Sequence, residues 1–191
     1  PYTGAVGRWY SRDFMLEDQR FLEGRADVLT YRSEVLGEDL TVAGPLEVNL
    51  TASTAGTDAD WVVKVIDVFP GSGRAPGAGG RRHVDLRGYQ MLIRGDVLRG
   101  KFRNGPGDLQ PMTPGLPTPV KFDMQDIFHT FQRGHRIMIQ VQSSWFPMID
   151  RNPGTFLDIF RAKASDYRRT TQRIYHSAAH PSYIRVNVVR D

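Results

Sequence analysis
Hydrophobic and polar residues alternate along much of this chain. Leu46, Val48, Leu50 and Ala52 are separated by Glu47, Asn49 and Thr51, and a period of two predicts a strand with one buried face. The same alternation sets Val120, Phe122 and Met124 against Lys121, Asp123 and Gln125, and Ile184, Val186 and Val188 against Arg185 and Asn187. In 131–155, Gly134 opens the segment at a position suited to a turn. Ile137, Ile139 and Val141 then oppose Arg136, Met138, Gln140 and Gln142. Shorter strands are predicted at 28–31, at 41–43 with Gly44-Pro45 as the stop, and at 173–177. Residues 61–69 are apolar except for Lys64 and Asp67, which suits a central strand covered on both faces. Residues 88–103 predict a strand, a tight turn at Gly95-Asp96 and a second strand ending at Phe102. Helical signals are few: a turn or two in 15–24 with Gly24 as the stop, and a short helix in 155–167.

Eight or nine short strands with frequent Gly and Pro turns predict an all-β fold, a sandwich or barrel. The long connections in 71–80, which is Gly-rich, and in 105–119, which is Pro-rich, favour a jelly-roll or Greek-key crossing over a simple meander. Residues 1–26 lack periodicity and mix aromatics with charges. They are expected to be an extended segment lying on the sandwich or on a missing domain. Residues 27–191 are expected to be the β-sandwich domain.

With 191 residues, the chain is long enough for one domain with a sizeable core. A formal charge of +4 is a small excess. Its densest basic cluster, Arg81-Arg82-His83, forms no stripe, so no nucleic-acid partner is expected. No apolar run approaches about 18 residues, so no membrane span is expected. No signal peptide is expected either, because the start at Pro1-Tyr2-Thr3 lacks an apolar run behind it. A chain opening on Pro1 is expected to be a processed product or a fragment. The absence of Cys excludes disulfides and Cys-ligated zinc without fixing a compartment.

Candidate chemistry is sparse. There is no G-x-S-x-G elbow, and the Gly-rich loop runs into Arg81-Arg82 instead of the Lys-Ser/Thr ending of a phosphate loop. Ser143-Ser144 can meet an imidazole only if His135 approaches in space; backbone-bonded strand-end serines are the plainer reading. His176 and His180 have the i, i+4 spacing of a helical metal pair, but Pro181 follows and the needed Glu is absent. Asp58 and Asp60 can serve calcium, yet a polar turn explains them without it. Arg94-Gly95-Asp96 matches an adhesion tripeptide, which a hairpin turn explains as well. His135 and Arg136 are expected to pair with Asp150 or Asp126. The run Trp145-Phe146-Pro147-Met148 is too apolar to be left in water. Trp61, Trp145 and Phe146 can stack on a sugar or be covered by another domain; the apolar Phe146-Pro147-Met148 favours the second. No catalytic residue, metal site or cofactor is expected within the chain.

Four segments carry a resemblance: RADVLTYRSEVLGEDLTVAGPLEVNLTASTAGTDADWVVKVIDVFP at 25–70, GYQMLIRGDVLRGKFR at 88–103, GHRIMIQVQSSWFPMIDRNPGTF at 134–156 and TQRIYHSAAHPSYIRVNVV at 171–189. Together they resemble the C-terminal domain of the serine hydrolases that include X-Pro dipeptidyl-peptidases, bacterial cocaine esterase, glutaryl acylases and alpha-amino-acid ester hydrolases, the last most of all. The resemblance implies a jelly roll with a galactose-binding-like fold. It also implies a Ser-His-Asp triad in an α/β-hydrolase domain that this chain does not contain. The parent would hydrolyse or transfer acyl groups of esters or amides bearing an α-amino group, and this chain would support the hydrolase domain and wall its active-site entrance. Trp145, Phe146, Arg151 and Asn152 match the family's SSWFP and DRNP segment, and Asp60 and Trp61 its DW segment. These six are expected to face the hydrolase domain or to hold the loops that do. Relatives of this kind are often oligomeric and often exported, so self-association and a periplasmic or secreted location are the family's implications, with a cytoplasmic one not excluded. The alternative from another class is a free-standing jelly roll binding a carbohydrate or other ligand.

Overall fold
A computed structural model describes residues 14–72 and 85–190. Most of the Gly-rich loop, the Arg81-Arg82-His83 cluster and the first half of the 1–26 segment lie outside the described residues.

The described residues form an antiparallel β-sandwich of eight strands, with short 3-10 turns and no longer helix. The strands are β1 (Val28–Arg32), β2 (Leu40–Thr54), β3 (Asp60–Val68), β4 (Gln90–Arg99), β5 (Thr118–Phe131), β6 (Arg136–Gln142), β7 (Gln172–Tyr175) and β8 (Tyr183–Arg185). One sheet has the order β1-β6-β3-β4; in the other, β2 pairs with β5 along one edge and with β7 and β8 in succession along the other. The all-β sandwich expected from the alternation is therefore the fold observed.

Val42, Leu46, Val48 and Leu50 of β2, Val120, Met124 and Phe131 of β5, and Trp61, Val63 and Val65 of β3 meet between the sheets as the main core. A second apolar layer covers the outer face of the first sheet, where Val62, Ile66, Leu92 and Met138 pack with Trp145. Leu22 and Gln19, in the 3-10 turn Gln19–Leu22, are buried as well. β3 is thus sealed on both faces, as its nearly unbroken apolar run predicts. Its two interruptions are both buried: Lys64 and Asp67.

Three local expectations are corrected. Gly44-Pro45 does not stop a strand: β2 runs through it, and the register with β5 shifts between Gly44 and Leu46. The irregularity takes up the proline, whose missing N–H would break a regular ladder. Gly95-Asp96 is not a hairpin turn either. It lies inside β4, where Gly95 pairs with Lys64 and Asp96 with Val63. The glycine is needed for close approach: a Cβ on Gly95 would lie 2.6 Å from Cη2 of Trp145. The 155–167 helix is replaced by two 3-10 turns, Ile159–Arg161 and Ala164–Asp166, with Asp158 capping the first. Gly24 does end the turn before it, at φ +73°.

Candidate functional site
The DRNP segment is tied to the sandwich by a buried ion pair. Asp60 opens β3 and Arg99 closes β4, and register pairing sets them opposite each other. Arg99 Nε donates to Asp60 Oδ1 at 2.8 Å and Nη2 to Oδ2 at 2.9 Å, a fork-on-carboxylate geometry that fixes both side chains. The same guanidinium donates to the Asp150 carbonyl at 2.7 Å. Asn152 Nδ2 donates to Asp60 Oδ1 at 2.8 Å, and its Oδ1 accepts from Gly154 N at 2.8 Å. Thr57 answers from the loop before β3: its N donates to the Gly154 carbonyl at 3.0 Å and its Oγ1 accepts from Phe156 N at 2.8 Å. Lys101 Nζ donates to the Leu157 carbonyl at 2.9 Å. A Cβ on Gly56 would come within 2.1 Å of the Gly154 carbonyl oxygen, so this loop can lie against 152–156 only with glycine there.

Asp58 supports the same corner. Its Oδ1 accepts from Ala59 N at 3.0 Å and Lys101 N at 2.9 Å. Burial pushes its carboxyl above the ordinary range and the neighbouring Asp60 charge adds to this, while those backbone donors oppose it. Asp58 and Asp60 are therefore the anchors of a loop: Asp60 accepts from protein donors on both oxygens and Asp58 on Oδ1.

The clamp presents a surface. Arg151 points outward, its guanidinium 5.2 Å from the Phe146 ring centroid and 5.9 Å from that of Tyr167. Phe146 is 40% exposed and Phe160 88%, with Met148, Phe156 and Tyr167 also exposed. The tryptophans are placed differently. Trp61 is 1% exposed, inside the main core, and Trp145 is 4% exposed, lying over Gly95 in the outer layer. Of the two roles expected for the six motif residues, facing a neighbour is open to Phe146 and Arg151. Asp60 and Asn152 bond within the clamp, and Trp61 and Trp145 are buried in the two apolar layers. Neither tryptophan ring is free to stack on a sugar.

The other candidates disperse. His135 and Ser143 stand at opposite ends of β6, about 25 Å apart at about 3.3 Å per residue, so they form no dyad. His135 pairs with neither Asp150 nor Asp126. Its Nδ1 lies 2.8 Å from Asp67 Oδ1, and His129 Nε2 of β5 lies 3.0 Å from Asp67 Oδ2, so one carboxylate of β3 ties the two sheets together. Arg136 donates to the Ser33 carbonyl at 2.8 Å instead. Ser177 and His180 form a β-bridge, so His176 and His180 share no helical face. Among the described residues no group of three or more His, Cys, Asp or Glu could hold a metal.

Sequence reasoning passed over Arg99, Lys101, Thr57 and Gly56, which carry the clamp. The break in the apolar run at Lys64 and Asp67 signals something else, two buried charged side chains away from the clamp. Lys64 is fully buried, donates to Gln19 Oε1 at 2.8 Å and lies 5.2 Å from the Trp145 ring. Burial pushes its ammonium down from 10.5 to about 8, with Glu17 opposing the fall.

Comparison with known proteins places this architecture. The family model described as the X-Pro dipeptidyl-peptidase C-terminal non-catalytic domain matches residues 6–185. The cocaine esterase of Rhodococcus sp. (strain MB1 Bresler) is 30% identical over 190 residues, covering 100% of this chain and 30% of its own length. Among solved structures, an alpha-amino acid ester hydrolase superposes with a TM-score of 0.84 at 44% identity, over 92% of this chain and 28% of its own. An aminopeptidase from the marine sediment archaeon Thaumarchaeota archaeon gives 0.87 at 38%, over 100% and 31%. The chain thus spans about three-tenths of the length of these relatives. It belongs to the family of X-Pro dipeptidyl-peptidase C-terminal non-catalytic domains.

Proposed function
We propose that this chain is the buttress of a serine hydrolase that cleaves or transfers the acyl part of esters or amides bearing an α-amino group. Its ledge, Phe146, Arg151, Phe156, Phe160 and Tyr167, docks on the α/β-hydrolase part of the parent and fixes one wall of its entrance. Bond breaking belongs to that other part, through a serine acyl-enzyme and an oxyanion hole. The observation that carries this reading is the pairing of a rigid clamp with an apolar surface in water. Arg99, Asp60 and Asn152 lock the backbone of 150–154, and Phe160 beyond it stands 88% exposed. Exposed aromatics on a fixed backbone mark interfaces.

The parent enzyme carrying Phe160→Ser with Phe146→Ser tests it. Activity on an α-amino ester and the thermal midpoint of the parent are expected to fall, while the unfolding free energy of this chain alone stays within about 0.5 kcal/mol of wild type, as for surface changes. Unaltered activity and midpoint in the parent refute the docking role.

A further inference from the structure
The two sides of the sandwich end differently. At the β4 side the sheets are fastened to each other, and Arg94 Nη2 donates to the Asp126 carbonyl of β5 at 2.7 Å. At the other side the edge strand β1 faces the short strands β7 and β8 across a trough of about 570 Å³. Tyr31, Ile137 and Ile139 wall it on one sheet, and Ile174, Ile184 and Val186 on the other. Among the described residues no Asp, Glu, Lys or Arg lines it.

β1 leaves its outer edge unpaired. It pairs with β6 alone, in unbroken register from Val28–Gln142 to Arg32–Met138. Ser33 N donates to the Ile137 carbonyl at 2.9 Å. Hydrogen-bonded pairs alternate along an antiparallel ladder, so Leu29 and Tyr31 turn their backbone groups to β6 as Ser33 does. Those of Val28, Thr30 and Arg32 point away from the sheet. Val28 N is spent on the Arg25 carbonyl at 3.3 Å; the others stand at the free edge. Residues 29–32 are all exposed. The strand holds no Pro, no Lys and no bulge, the devices that keep an edge from pairing.

A hydrocarbon ligand would fill the trough and leave this edge unmet. An added strand meets both, and β1 is its own complement. Antiparallel pairing about a two-fold axis at Thr30 sets Thr30 opposite Thr30, Val28 opposite Arg32 and Leu29 opposite Tyr31 of the second copy. Each Thr30 N–H then meets the other Thr30 carbonyl, and each Arg32 N–H the other Val28 carbonyl. Leu29 and Tyr31, 42% and 41% exposed, pack across the axis on the face that Tyr31 turns to the trough. Charges agree with this register. Glu34, whose side chain is fully exposed, falls opposite Ala26 of the second copy and so beside its Arg25.

We infer that two copies of this chain join edge to edge through β1, continuing the first sheet across a two-fold axis and covering the mouth of each trough. The same patch serves both copies, as a two-fold contact requires. It uses none of the ledge residues and does not depend on the docking role.

Because the sequence holds no Cys, single cysteines report the pairing. Cα atoms of a hydrogen-bonded antiparallel pair lie about 5.5 Å apart, within the disulfide range of about 4.4–6.8 Å. Thr30→Cys is expected to give a disulfide-linked dimer on mild oxidation. Leu29→Cys and Tyr31→Cys are each expected to stay unlinked alone and to link when mixed, since only the mixture sets cysteines opposite each other. In sedimentation velocity the wild-type chain is expected to dimerise, and Thr30→Pro to weaken the dimer at least about tenfold. That proline removes an N–H from the free edge and none from the β6 ladder. Phe160→Ser with Phe146→Ser is expected to leave the dimer unchanged. The inference is overturned if the wild-type chain sediments as a monomer at every concentration, or if Leu29→Cys alone links as well as the mixture. It is also overturned if the ledge variant dissociates the dimer while Thr30→Pro does not, or if the parent enzyme carrying Thr30→Cys gives no such link.

Discussion

Lys64 gives the sharpest energetic prediction. Its side chain is fully buried on the outer face of the first sheet, and burial lowers its pKa from 10.5 to about 8. At about 1.4 kcal/mol per pH unit, that fall corresponds to about 3 kcal/mol spent on keeping an ammonium out of water. The sign follows from proton binding. Below pH 8 both folded and unfolded chains hold the proton, and the penalty is complete. Between pH 8 and 10.5 the unfolded chain still binds a proton that the folded chain has released, so stability rises with pH. Above 10.5 the penalty is gone. Lys64→Met removes the titration. At pH 7 it also strands Gln19 Oε1, which Lys64 Nζ serves at 2.8 Å, at a cost of about 1–3 kcal/mol. The net change at pH 7 is therefore small, and the diagnostic quantity is its pH dependence. Urea unfolding of both proteins, extrapolated linearly at pH 7, 8, 9 and 10, should show wild type gaining on the variant with each step towards a limit of about 3 kcal/mol. Other titrating groups cancel in the difference. A difference that stays flat, or moves against wild type as pH rises, refutes the assignment of that cost to Lys64.

Three further outcomes follow from the packing. Gly95→Ala puts a methyl 2.6 Å from the Trp145 ring and should cost about 1–3 kcal/mol by overpacking, read by urea unfolding with a shift in tryptophan emission. Asp60→Asn leaves Arg99, whose side chain is 11% exposed, without its counter-charge. It should cost about 3–5 kcal/mol, whereas Asp60→Leu with Arg99→Leu should recover much of that loss in the same assay. Gly56→Ala drives a methyl into the Gly154 carbonyl and should speed limited proteolysis within 150–158 while leaving the amide protection of β3 and β6 intact.

Much of the sandwich was legible because period two is a direct consequence of strand geometry. β2, β5 and β6 are read from their alternation, and β3 from its lack of one. Glycine misled, because one residue type serves two physical ends. At Gly95 the absent Cβ makes room for an indole from a distant segment, which no local pattern encodes. Gly44 also shows no stop, because β2 continues past an irregularity that only pairing with β5 reveals. Asp60, Asn152 and Trp145 were singled out by their motifs, yet their side chains turn inward. Their motif neighbours Phe146 and Arg151 turn outward. Asp60 is held by Arg99, 39 residues on, Asn152 by Asp60 in turn, and Trp145 lies over Gly95 of β4, so none of these directions could be read from the motif itself.

The C-terminal segment obeys a different rule from the rest. From Phe156 onward few side chains are buried, and Phe160, Tyr167, Tyr183, Val186, Val188 and Val189 are all exposed. Burial of one such side chain is worth about 1.5–3 kcal/mol, so this stretch cannot owe its course to a core of its own. Backbone ties set the course instead. Arg168 N donates to the Pro153 carbonyl at 2.8 Å, Ala55 N to the Thr171 carbonyl at 2.9 Å and Val189 N to the Thr41 carbonyl at 2.9 Å. Thr51 Oγ1 donates to the Pro181 carbonyl at 2.9 Å. These bonds fix where the apolar side chains stand before any partner arrives. The entropy of ordering that a flexible strap would lose on binding is then already met in the free chain, and the apolar area left in water is available to association. A segment held by its backbone with its side chains unspent is what a docking face requires, and the Asp60–Arg99 clamp is where its rigidity begins.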